Sequence, residues 1–120
     1  GWGGNPKEAA VYQSGMPKLS DGKTPYVLTV RDVPVDGFWS VTVYNAKGYM
    51  EPNPQNAYSV NNVTAGRNAD GSVTIHFGGD PGGPNYLPIV PGWSYVARMY
   101  QPRKAVVDGT WKFPEAQPAK

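Results

Sequence analysis

The chain has 120 residues, with 11 basic and 9 acidic side chains, a formal net charge of +2, one histidine and no cysteine. Lack of cysteine rules out disulfides, thiolate nucleophiles and Cys-based zinc sites, and basic residues scattered from Lys7 to Lys120 form no cluster to track a phosphate backbone, so nucleic acid is not an expected partner. No run approaches the roughly 20 apolar residues of a membrane helix, while 15 Gly and 13 Pro favour many short strands joined by tight turns.

The beginning, Asn5-Pro6-Lys7-Glu8-Ala9-Ala10-Val11-Tyr12, offers a capping residue, a first-turn proline and a glutamate at the third helical position. It predicts a short N-terminal helix inside a helical lead-in over residues 1–20, stopped by Gly15 and Pro17. Ser20-Asp21-Gly22-Lys23 then turns into Tyr26-Val27-Leu28-Thr29-Val30, whose branched and aromatic residues favour a strand. Phe38 to Tyr49 alternates apolar and polar residues up to an Asn45-Ala46-Lys47-Gly48 turn and reads as a β-hairpin. Trp39, Val41 and Val43 are expected on the core face, Ser40, Thr42 and Tyr44 on the other.

Pro52-Asn53-Pro54 marks a loop before a short strand at Ala57 to Val60. Asn68-Ala69-Asp70-Gly71 turns into Ser72 to Phe77, with Val73, Ile75 and Phe77 facing inward. Gly78 to Gly92 is a long Gly- and Pro-rich loop, Trp93 to Tyr100 resumes a strand, and Pro102 to Val107 has room for one helical turn. Thr110 to Phe113 reads as a last strand, followed by a polar tail over residues 115–120. Six or seven short strands predict one all-β domain over residues 1–120, an antiparallel β-sandwich of jelly-roll type.

Candidate chemistry is sparse. Asp21, Asp36, Asp70 and Asp108 each precede glycine, a dipeptide that sets tight turns. The remaining acids, Asp32, Asp80, Glu8, Glu51 and Glu115, show no spacing that signals a two-carboxylate pair. His76 shares the outward face with Ser72 and Thr74 and has no Gly-x-Ser-x-Gly elbow to serve. One histidine without cysteine implies no metal site, and no cofactor is implied. Gly78-Gly79-Asp80-Pro81-Gly82-Gly83-Pro84 lacks the Gly-Lys-Ser/Thr ending of a phosphate loop and reads instead as a rim on a rigid scaffold.

Tyr86 and Trp93 bracket the end of that rim, and flat aromatic faces stack sugar rings, although the same rings also seal sandwich edges. Arg98 shares a face with Ser94, Val96 and Tyr100, where an ion pair with a carboxylate such as Asp32 competes with ligand recognition. The expected ligand-binding set is therefore Asp80, Asn85, Tyr86, Trp93, His76 and Arg98, with no catalytic residue. Three functions compete. The first is a non-catalytic module binding a glycan or small molecule near residues 78–93. The second is a hydrolase or lyase using His76 and Asp80, with Arg98, around the same loop. The third is a structural or assembly module that buries edge strands or aromatics against a partner protein.

In order along the chain, Phe38-Trp39-Ser40-Val41-Thr42-Val43-Tyr44, Asn53-Pro54, Asp70-Gly71-Ser72-Val73-Thr74-Ile75, Asn85-Tyr86-Leu87-Pro88, Arg98-Met99-Tyr100-Gln101-Pro102 and Asp108-Gly109-Thr110-Trp111 resemble the domain of unknown function 1214. The resemblance runs from about Gly3 to Pro114. It implies a jelly-roll β-sandwich that often follows a companion N-terminal domain, the domain of unknown function 1254, in bacterial proteins of the periplasm or exterior. It implies no catalytic or binding residues. Where that family tends to have Asn-Trp-Leu-Pro, this chain has Asn85-Tyr86-Leu87-Pro88, so a pocket there differs in shape.

Overall fold

Two-residue alternation governs the chain, and the computed structural model shows it as eight strands and one helical turn among the described residues, 10–50, 58–63, 65–80 and 82–119. Strand β1 is Ala10–Gly15, β2 Tyr26–Val30, β3 Trp39–Tyr44, β4 Ser59–Asn61, β5 Val73–Phe77, β6 Tyr86–Leu87, β7 Ser94–Tyr100 and β8 Gln117–Pro118, with α1 at Lys104–Val107. The first sheet has the order β1-β7-β3-β4 and is antiparallel throughout. The second has the order β6-β5-β2-β8 and is antiparallel except where β6 runs parallel to β5.

The alternating residues of both sheets fill one core. Val73, Ile75 and Phe77 of β5 are buried, as are Tyr26, Leu28 and Val30 of β2; from the first sheet come Trp39, Val41 and Val43 of β3 and Tyr95, Ala97 and Met99 of β7. Phe77 lies at its aromatic centre, stacked on Trp93 at 5.1 Å between ring centroids and tilted against Tyr95 at 5.2 Å. A second aromatic group, Trp39, Phe113 and Trp111, closes the other end through edge contacts of 5.6 and 5.9 Å. Offset and edge-to-face pairs of this kind add about 0.5–1.5 kcal/mol each beyond burial.

The hairpin expected over Phe38 to Tyr49 forms only in part: the turn is present, but Tyr49 directly after it belongs to no strand. The main chain turns at Asn45, where Gly48 N–H donates to Asn45 O, and the partner of β3 is the antiparallel strand β4 at Ser59–Asn61. The helical turn expected within Pro102–Val107 is α1.

Two expectations are corrected. Ala10, Val11 and Tyr12, expected at the end of an N-terminal helix, belong to strand β1, which pairs along its whole length with β7; the start of that expected helix lies outside the described residues. Long-range pairing overrides the local capping pattern here, since short helices gain little stability by themselves. Thr110 to Phe113 forms no strand. Phe113 is buried as a side chain, and its main chain is taken by Gln13, whose Nε2 donates to Phe113 O at 2.6 Å while Phe113 N–H donates to Gln13 Oε1 at 3.1 Å. The last strand is instead Gln117–Pro118, inside the expected polar tail, where the backbone pairs with Val27 and Tyr26 and both side chains stay exposed.

Candidate functional site

The candidate site lies where β5 runs into the glycine-rich rim. Because Phe77 faces the core, His76 faces outward, with Val27 beside it on β2 and Tyr86 beside it on β6. Gly78 and Gly79 follow at φ +81° and +80°, a left-handed pair that side-chain-bearing residues rarely adopt, and a Cβ at Gly78 would lie 2.8 Å from Ile89 Cδ1. The turn brings Asp80 to the same cavity as His76. Asp80 stiffens the rim, its Oδ1 accepting from Gly82 N–H at 2.9 Å and its carbonyl from Gly83 N–H at 3.0 Å.

The resulting cleft has a volume of about 320 Å³. Pro25, Tyr26 and Val27 form one wall, His76, Gly78, Gly79 and Asp80 another, and Pro84 and Ala119 complete the mouth. Apolar and glycine surface dominates this lining, and the Tyr26 hydroxyl is occupied as acceptor from Leu19 N–H. Among the described residues the His76 imidazole has no hydrogen-bond partner, and Asp80 Oδ2 has none either. Two polar groups with unspent bonding capacity on a mostly apolar concave surface are the ordinary makings of a small-ligand site.

Of the six residues expected to bind ligand, only His76 and Asp80 line this cleft. Asn85 has a left-handed backbone at φ +54° and ties loops together: its Oδ1 accepts from Gly66 N–H, and its Nδ2 donates to Gly66 O and Thr74 O, all within 2.9–3.0 Å. Tyr86 is the half-buried strand neighbour of His76. Trp93 is 0% exposed and packs on Phe77, Tyr26 and Tyr95.

Arg98 belongs to the other sheet. Its guanidinium donates to the Tyr44 hydroxyl and to Thr42 Oγ1 and sits 5.5 Å from the Tyr12 ring centroid and 5.6 Å from that of Tyr44. The hydrogen bond to Tyr44 holds its pKa above the ordinary arginine value. Asp32 is no partner, because register places Arg98 between Tyr12 and Ser40, and the phenols and Thr42 lie within reach across neighbouring strands. Sequence alternation does set Thr42 and Tyr44 on one face; which strand neighbours them is not readable without the sheet order.

Three Asp-Gly pairs are turn devices. Asp21, Asp70 and Asp108 each direct Oδ1 at the N–H two residues ahead, and the Ser72 and Thr110 hydroxyls add to the last two. These bonds hold all three carboxyls below their ordinary range: Thr24 and Lys23 N–H at Asp21, Ser72 at Asp70, Thr110 at Asp108. Among the described residues no group of three or more His, Asp or Glu side chains is placed to hold a metal ion, and no helix is long and apolar enough to cross a membrane.

Residues 9–104 match the family described as protein of unknown function, DUF1214. The chain belongs to the DUF1214 family. The fold of this DUF1214 chain is similar to that of the VPA0106 protein from Vibrio parahaemolyticus, at 30% identity and a TM-score of 0.83, with 96% of this chain and 31% of that one covered. It is also similar to an uncharacterised protein from Burkholderia cenocepacia, at 23% identity and a TM-score of 0.69 over 98% of this chain and 31% of the other. The DUF1214 chain thus spans about a third of the length of these two solved relatives. No protein of curated function matches it.

Proposed function

We propose that this DUF1214 chain is a non-catalytic accessory module of β-sandwich form that binds a small molecule or a glycan unit in the cleft beside Gly78–Pro84. The observation that carries the reading is the pairing of an unpartnered His76 imidazole with the free Asp80 Oδ2 on a cleft of about 320 Å³, near the lower end of the size range of ligand pockets. An accessory role is supported by the solved relatives, whose chains are about three times as long. The sandwich is supported by a core drawn from both sheets, and the jelly-roll winding by a chain path that crosses from the first sheet to the second between β1 and β2 and returns between β2 and β3.

The enzymatic alternative carries less. Arg98, its third member, lies on the first sheet, and among the described residues the cleft lining contains no serine, threonine, lysine or second acid beside His76 and Asp80. Titration of the 15N-labelled chain with a panel of monosaccharides and small metabolites tests the proposal. Shifts confined to Val27, His76 and Gly78 to Asp80, abolished by His76→Ala combined with Asp80→Asn, are the expected result. A panel that shifts nothing there, or binding that survives the double substitution, rejects it.

A further inference from the structure

The four strands of the first sheet contain one charged residue, Arg98. Among the described residues the ion pairs are Arg31 with Asp70, Arg103 with Asp36 and Lys104 with Asp108, and none of their carboxylates reaches Arg98. Neutral oxygens hold it instead. The Tyr44 hydroxyl and Thr42 Oγ1 take one N–H from each terminal nitrogen, so three of the five guanidinium N–H groups have no partner among the described residues. Free guanidinium N–H groups in this fork geometry match a carboxylate with two parallel hydrogen bonds. Here the fork is fixed in place before any counter-ion arrives.

The surroundings narrow the chemistry of that counter-ion. Tyr12, 64% exposed, flanks the guanidinium on one side and Tyr44 on the other. Two residues along β7 on the same face, Tyr100 stacks on Phe38 with centroids 4.4 Å apart. Ser40 and Ser14 lie on the same outward face. A single positive charge with no second basic residue on these strands matches a monovalent planar carboxylate better than a phosphate dianion. Flat aromatic faces with hydroxyls between them suit a ring that carries its own hydroxyls.

We propose that the outward face of the first sheet, centred on Arg98, binds a carboxylate-bearing sugar of the uronic acid class, its carboxylate on the guanidinium fork and its ring against Tyr12. This site is separate from the cleft at His76 and stands or falls independently of it.

The experiment is titration of the chain with a galacturonic acid trimer and with the methyl-ester trimer, read by NMR shifts and calorimetry. The acid trimer is expected to shift the Arg98 Nε–H and the Tyr12 and Tyr44 signals, to bind at least tenfold more tightly than the ester, and to weaken as salt is raised. Tyr12→Ala, at an exposed position, should weaken binding several-fold without altering thermal stability. Arg98→Gln should abolish the preference for acid over ester, and Arg98→Lys should retain only part of it. Equal binding of acid and ester, shifts confined to the His76 cleft, an oligoglutamate peptide that binds as tightly, or unchanged binding by Tyr12→Ala would each overturn the assignment.

Discussion

The side-chain amide of Gln13 completes both main-chain hydrogen bonds of Phe113, a residue 100 positions away. It behaves as one more peptide unit, pairing the first strand with a segment that forms no strand of its own and holding the Phe113 ring against Trp39.

Gln13→Met keeps comparable side-chain bulk but leaves the part-buried N–H and C=O of Phe113 without partners. Leaving such groups unsatisfied costs about 1–3 kcal/mol, and a loss in that range is expected in urea unfolding at neutral pH. A stability equal to the parent's would show that the Phe113 main chain is satisfied by solvent.

Trp93 presents the reverse case. Its Nε1–H is buried and has no acceptor among the described residues, so the indole contributes packing while carrying an unsatisfied donor. Trp93→Phe removes that donor along with part of the ring, and stability within about 1 kcal/mol of the parent is expected from the offset of the two effects. Trp93→Ala is expected to lose about 3–5 kcal/mol, because the Phe77 and Tyr26 contacts go with it. A comparable loss for both substitutions in chemical denaturation would show that the indole nitrogen is bonded.

The turn aspartates set the acid limb of stability. Asp21, Asp70 and Asp108 have carboxyls held below their ordinary value of 3.8 in the folded chain. Their contribution is therefore complete above about pH 4 and is lost as the pH falls through the lowered folded values. Circular dichroism from pH 5 to pH 2 is expected to show a steeper decline for the parent than for the triple Asp→Asn variant. Superimposable profiles would remove these turns from the acid transition.

Period-two alternation made most of the strands legible. Trp39, Val41 and Val43 are buried against half-buried Ser40 and Tyr44, and Val73, Ile75 and Phe77 against half-buried Thr74 and His76, as their spacing requires, while Thr42, outward by register, is itself buried where it accepts from Arg98. Illegible features depended on partners distant in sequence. Ala10 to Tyr12 follow a helical start signal at Asn5 to Glu8, yet the edge of β7 recruits them. Gln117 and Pro118 have polar, turn-forming character, and only their main chain reveals the pairing with β2. For the site, the glycine-rich rim with His76 and Asp80 was visible in the residues. The assignment of Arg98 to the other sheet was not, because alternation gives a side chain its face but not the sheet it belongs to.

Ala119 N–H donates to Pro25 O, and Ala119 itself forms part of the cleft mouth. An affinity tag or fused reporter joined after Lys120 would start one residue beyond that lining position, close enough to compete with an incoming molecule. Screens for occupants of the cleft therefore call for protein whose carboxy-terminal handle has been cleaved away.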